Sequence, residues 1–183
     1  MVAAKRSKTR VPVRHALAGL QAGVLGSLLM LGWLMLGSIW LRRSIWTIPN
    51  LMATAMYGPE AYSNRYVRSS LAGAALLIVI YGLLGALWGA FWKDREVPFL
   101  RVAGAITGLV VYTLFFGFVW KHTRPLISLY APERQLEVGH LLWGLVLARS
   151  PRFSRQLEDP TDEVPPPLPL QEPAPVRSGE ATL

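Results

Sequence analysis

The 183-residue chain is 52% hydrophobic and 16% charged, with 16 glycines and 7 tryptophans. A soluble domain of this size carries about a quarter charged residues, so the composition points to a membrane protein. The net charge of +8 does not imply nucleic acid, because Lys and Arg cluster at the ends of apolar runs, where phospholipid headgroups lie. With no cysteine, disulfides, thiolate metal sites and thiol catalysis are excluded.

In chain order, residues 1–15 form a basic arm with Lys5, Arg6, Lys8, Arg10 and Arg14. Ala16 to Leu41 follows as 26 residues without a charge. At 1.5 Å per residue this run is roughly 39 Å long, so it must tilt or emerge into the interface. It exceeds a signal-peptide core and no small-x-small cleavage site follows, which predicts an uncleaved anchor.

The connection from Arg42 to Ser69 is apolar for a loop. Thr47 to Gly58 reads as a short helix closed by Gly58-Pro59, with Trp46, Tyr57, Tyr62 and Tyr66 suited to headgroup level. It could be a re-entrant segment lining a solute path or an interfacial helix capping the bundle. Only Asn50 and two threonines are polar within it, which favours the cap.

Ser70 to Trp92 and Val102 to Trp120 are charge-free runs of 23 and 19 residues, each enough for the roughly 20 residues that cross a hydrocarbon core. The fourth segment, residues 132–149, has a shorter apolar core. Pro132-Glu133 suits a helix start, and Glu133, Glu137, His140 and Gly144 then follow at steps of four, three and four, on one face. Such a helix crosses if its polar stripe faces other helices, with Pro125 to Ala131 supplying extra depth; otherwise it lies in the interface. Residues 156–183 hold an acidic, proline-rich stretch that cannot build a core and reads as a disordered tail.

The expected fold class is therefore an all-α integral membrane protein. Its core is a four-helix transmembrane bundle, spans about 16–41, 70–92, 102–120 and 132–149, with a short interfacial or re-entrant helix after the first span. Twelve Lys and Arg fall on the face that holds both termini and seven on the other, which places both termini in the cytoplasm.

Small residues recur at helical spacing: Gly19, Gly23 and Ser27; Gly82, Gly85 and Gly89, with Ala86 and Ala90; Gly104 and Gly108. In lipid, helices associate through close backbone approach at such residues, within one bundle or between copies. The candidate polar membrane site is Glu133, Glu137 and His140, since an ionisable group at bilayer depth is costly. His140 reads either as an interhelical hydrogen-bonding strut, the favoured reading, or as a proton-linked group. Glu137-x-x-His140 has di-iron spacing, but such sites need a second copy and two further carboxylates, which the three long runs do not contain. His15, His122 and His140 fall at different depths, which does not suit a bis-histidine haem. No catalytic triad, phosphate loop or metalloprotease signature is present. No catalytic residue, metal or cofactor is expected; the expected partners are the bilayer, other membrane proteins or a second copy of the chain.

Gly139-His-Leu-Leu-Trp143 on the last helix follows a proline-bearing outer segment and precedes basic residues and an acidic tail. Over about 45 residues, Tyr112 to Arg155, this resembles the YagU-like small bacterial inner-membrane proteins. The resemblance implies a four-span inner-membrane protein without assigned catalytic activity, with Gly139, His140 and Trp143 as the shared positions. The chain departs from that pattern in lacking a large polar insertion between its first two spans. The reading that follows is a non-enzymatic membrane accessory or scaffold protein. A small transporter or channel subunit with the polar stripe on its last helix is the alternative.

The charge distribution generates a first prediction. A cytoplasmic reporter fused after Arg155 and a periplasmic reporter inserted within 62–68 are both expected to be active; a periplasmic reporter active after Arg155 means the fourth segment does not cross.

Overall fold

A computed structural model describes residues 2–92 and 95–157, which among themselves are helices joined by short turns. Helix α1, Val2–Trp40, runs through the basic arm and the first apolar run without a break. Arg42 then turns the chain with φ 55°. Helix α2 is Thr47–Tyr57, followed by a single 3-10 turn at Pro59–Ala61. Gly58 between them has φ 83°, a conformation glycine adopts without the clash a Cβ would bring.

Helix α3 spans Arg68–Phe91 and α4 spans Val97–Tyr112. The third apolar run is not one α-helix. From Thr113 to Val119 it is a π-helix, and the short α5, Trp120–Thr123, completes it. Helix α6, Pro125–Tyr130, turns the chain back into α7, Glu133–Leu147, and α8, Ser150–Gln156, ends the described chain. Pro132 is the residue before α7, at φ −77° and ψ 100°, rather than its first helical residue, because extended backbone there lets the chain arrive from α6. The acidic tail from residue 158 lies outside the described residues.

Among the described residues, three helical stretches are long and apolar enough to cross a membrane: Val13–Trp40, Arg68–Phe91 and Val97–Thr123. Their outward faces are greasy, with Leu28, Leu36, Leu83, Leu87, Val102, Ile106, Val110 and Phe118 all exposed. Exposed leucines and valines in this number suit hydrocarbon rather than water.

The inward faces are built from glycine. Helix α1 lies against α3 along Gly19 and Gly23 on one side and Gly82, Gly85 and Gly89 on the other. A Cβ on Gly85 would stand 2.6 Å from Gly23 Cα, and one on Gly19 would stand 2.8 Å from Gly89 Cα. Helix α7 approaches α4 in the same way: a Cβ on Gly144 would stand 2.9 Å from the Gly104 carbonyl carbon, and one on Gly108 the same distance from that of His140. Ser27 is fully buried on α1, its hydroxyl donating 2.7 Å to the Val24 carbonyl. These small residues therefore pack helices of one chain against each other.

On the side of the α1–α3 turn, α2 lies on α3. Gly73 gives it room, since a Cβ there would meet Ala53 N at 2.7 Å. Asn50, fully buried, ties this end together. Its Nδ2 donates to the Ser63 carbonyl at 2.5 Å and the Arg65 carbonyl at 2.9 Å, and its Oδ1 accepts from the Ser70 hydroxyl at 2.5 Å. Ser70 in turn accepts from the Val67 backbone N–H at 3.0 Å, capping α3.

Substituting Gly85 or Gly104 by Leu is expected to lower the detergent unfolding midpoint and cellular accumulation, the overpacking costing about 1–3 kcal/mol. Gly32→Leu is the control, because a Cβ at Gly32 meets nothing within 4 Å; it should accumulate as wild type in the same thermal-melt and immunoblot series.

Candidate functional site

His140 is fully buried on α7, at the level where the midpoints of the three long helices converge. Gly108 of α4 packs on its carbonyl, and Tyr81, whose own carbonyl meets Gly23 of α1, reaches it from α3. His140 Nδ1 lies 2.6 Å from the Leu136 carbonyl, one turn back on the same helix. A carbonyl can only accept, so Nδ1 carries a proton. Nε2 lies 2.5 Å from the Tyr81 hydroxyl. With the ring neutral, Nε2 accepts and Tyr81 donates, and both ring nitrogens are engaged.

Three aromatic rings enclose the imidazole edge-on. The Tyr81, Tyr112 and Phe116 centroids lie 5.3, 5.4 and 5.6 Å from it, at interplanar angles of 70°, 63° and 86°. Trp143, fully buried one turn further along α7, packs T-shaped on Tyr81 with centroids 5.2 Å apart. Its indole N–H has no hydrogen-bond partner. Its ring is held by close approach to Gly26, where a Cβ would come within 2.8 Å of Trp143 Cδ1. A Cβ on Gly139 would meet Met30 Cγ at 2.9 Å. Gly139, His140 and Trp143 thus all lie on the buried face of α7.

The expected polar stripe divides. His140 is sealed, whereas Glu133 and Glu137 are both exposed, and neither bonds to the histidine. The face that α7 buries is centred on Leu136, Gly139, His140, Trp143 and Leu147. At 100° per residue Glu137 falls at its margin and so points outward. The other histidines lie far from this one. His15 pairs with the Ser154 hydroxyl of α8 at 3.1 Å, and exposed His122 bonds the Phe118 carbonyl at 2.7 Å. Among the described residues no three His, Asp or Glu side chains gather as a metal site would require.

Two spaces flank the aromatic enclosure. One is an inner void of about 20 Å³ bordered by Met30, Leu34, Tyr81, Phe115, Phe116 and His140, room for one water molecule. The other is a cleft of about 210 Å³ on the far side of Phe116 and Leu136, with Glu133 on its wall. Phe116 and Leu136 border both spaces and part the histidine from the cleft.

Tyr81 was not among the residues singled out by sequence reasoning. The available signal was a lone hydroxyl-bearing ring halfway along an otherwise apolar run. No protein-family model, curated protein or solved structure matches the chain. The resemblance carried by Gly139-His-Leu-Leu-Trp143 therefore stands on those residues alone.

The Tyr81–His140 bond is testable by a double-mutant cycle. His140→Leu strands the Tyr81 hydroxyl in an apolar site and should cost on the order of 1 kcal/mol in a membrane setting. In a Tyr81→Phe background the same change should cost measurably less, because the partner has gone. His140→Gln, whose amide oxygen can accept from Tyr81, should keep most of the stability in the same detergent unfolding assay.

Proposed function

We propose that the chain is an integral protein of a bacterial inner membrane that crosses four times, keeps both termini cytoplasmic, and serves as a non-enzymatic accessory or scaffold unit for other membrane components. The fourth crossing is supported by where α7 and α8 are tied to α1. At one end Gln135 Nε2 donates 3.1 Å to the Gly37 carbonyl, and Trp33 Nε1 donates 3.0 Å to the Gln135 carbonyl. At the other end Ser154 meets His15. From Gly37 to His15 along α1 is about 33 Å at 1.5 Å per residue, against a hydrocarbon core of about 30 Å. The 15 residues of α7 would be short alone, and α8 completes the distance. The fully buried threonines and asparagine of α2 face protein, which supports a cap over the outer end of the bundle rather than a path through it.

The observation that carries the scaffold reading is the enclosure of His140. A group that relays protons or lines a conduction path needs a continuous route to bulk water, beyond a single bonded neighbour or one enclosed water. His140 has zero exposure, both nitrogens bonded and aromatic rings around it. In this reading it is a strut that joins α7 to α3 and fixes their rotation.

Chemical accessibility separates this from the transporter reading. With His15 and His122 replaced by Gln, His140 in proteoliposomes should resist diethyl pyrocarbonate, and the vesicles should hold an imposed pH gradient as empty vesicles do. Modification of His140 as fast as that of the exposed His122 in wild type, together with gradient collapse that His140→Gln abolishes, would assign a proton-linked transport role instead.

A further inference from the structure

The π-helical stretch Thr113–Val119 is unexplained by the scaffold role. Such turns are rare and appear frequently at functional sites. Here it borders the 210 Å³ cleft, which is walled by Thr113, Phe116 and Gly117 from this stretch, by Tyr112 at the end of α4, by Ser128 of α6 and by Glu133 of α7. Among the described residues, Glu133 is the one charged side chain in that wall. The hydroxyl of Thr113 already donates to the Leu109 carbonyl at 2.9 Å, so toward the cleft its oxygen can only accept. Tyr112 and Phe116, stacked with centroids 5.8 Å apart, add aromatic surface. A carboxylate, hydroxyl acceptors and aromatic rings around one concavity are the complement of a cation carried on carbon.

We propose that this cleft is a binding site for an organic ammonium group. Glu133 supplies the charge, the hydroxyls of Thr113 and Ser128 accept from N–H, and the Tyr112–Phe116 pair covers the adjoining methylenes. Glu133, the charged residue of the cleft, stands seven residues from His140 along α7, about 10 Å toward the outer face. In the four-crossing topology that level is just below the headgroups of the outer leaflet. An aminophospholipid headgroup and a small soluble amine present the same ammonium, and only the lipid source rests on that topology.

The test uses the full chain purified in mild detergent. Phosphatidylethanolamine is offered with an equal amount of phosphatidylglycerol, which has no ammonium, and retained lipid is counted by native mass spectrometry. Ethanolammonium chloride is titrated separately, with the unfolding midpoint as readout. Preferential retention of phosphatidylethanolamine that falls about tenfold in Glu133→Gln, as expected for loss of one charge-assisted bond, and that Glu137→Gln leaves intact, supports a lipid headgroup site. Stabilisation by ethanolammonium with the same dependence on Glu133 supports a soluble amine. The unliganded unfolding midpoint of Glu133→Gln checks that the fold is retained. Equal retention of both lipids without stabilisation by ethanolammonium, or a preference that Glu133→Gln leaves unchanged, overturns the proposal. The reporter fusions judge the topology independently of either result.

Discussion

Close approach of one helix backbone to another, permitted by glycine, is the constraint on which this architecture depends. Between helices surrounded by hydrocarbon, burial of apolar side chains gains little, because lipid tails are as apolar as leucine. Dispersion contacts must then hold the helices together, and these fall off within an ångström of separation. Gly19, Gly23, Gly85 and Gly89 bring α1 onto α3, and Gly104, Gly108 and Gly144 bring α4 onto α7. Leucine, valine and phenylalanine are thereby left to the outer faces.

The buried polar groups follow from that closeness. Once Gly108 lets α4 settle on the His140 carbonyl and Gly23 lets α1 settle on α3, the imidazole has no route to solvent. It must find its partners inside the protein, and it does so with the Leu136 carbonyl and the Tyr81 hydroxyl. Asn50 solves the same problem where α2 packs on α3, using both amide hydrogens and its oxygen to join α2, the following loop and α3. Each pairing replaces what would otherwise be an unsatisfied polar group, worth about 1–3 kcal/mol when left bare. Each also links elements far apart in the chain, so polar groups contribute specificity where apolar packing alone would permit sliding. Trp88 and Trp143 are exceptions: both indole N–H groups are unpaired, and shape alone positions Trp143 against Gly26 and Tyr81.

The third long helix is built differently from the first two. Its first part, α4, is regular and glycine-packed, whereas the part that follows is π-helical and leaves Leu114 and Phe118 exposed. Where the regular ladder yields, a concavity opens toward Glu133, and Phe116 stands between that concavity and the histidine enclosure. The molecule thus combines a sealed, fully paired polar centre with an open polar notch on the same helix, α7. The two are parted by single side chains.

Much of this was legible in the sequence because it depends on local rules. Charge-free runs of the right length, the glycine spacings and the Gly58-Pro59 stop each reflect short-range physics. Helices α2 and α3 and the apolar stretch Val13–Trp40 of α1 lie within a few residues of where those signals put them, although α1 itself starts at Val2 and takes in the basic arm. The tertiary structure alone decided the rest. A four-residue glycine spacing says that a helix face is smooth, yet only the packed chain shows which other face it meets. Helical periodicity put Glu137 and His140 on one side of α7, but only the neighbouring helices determine where the buried arc ends, and it ends between them. Tyr81 had no motif to announce it, because its partner lies 59 residues away. The π-helix likewise carries no periodic signature, since Thr113 to Val119 is as apolar as the helix it interrupts. In each case the deciding contact is made across the fold, between side chains whose meeting no local pattern encodes.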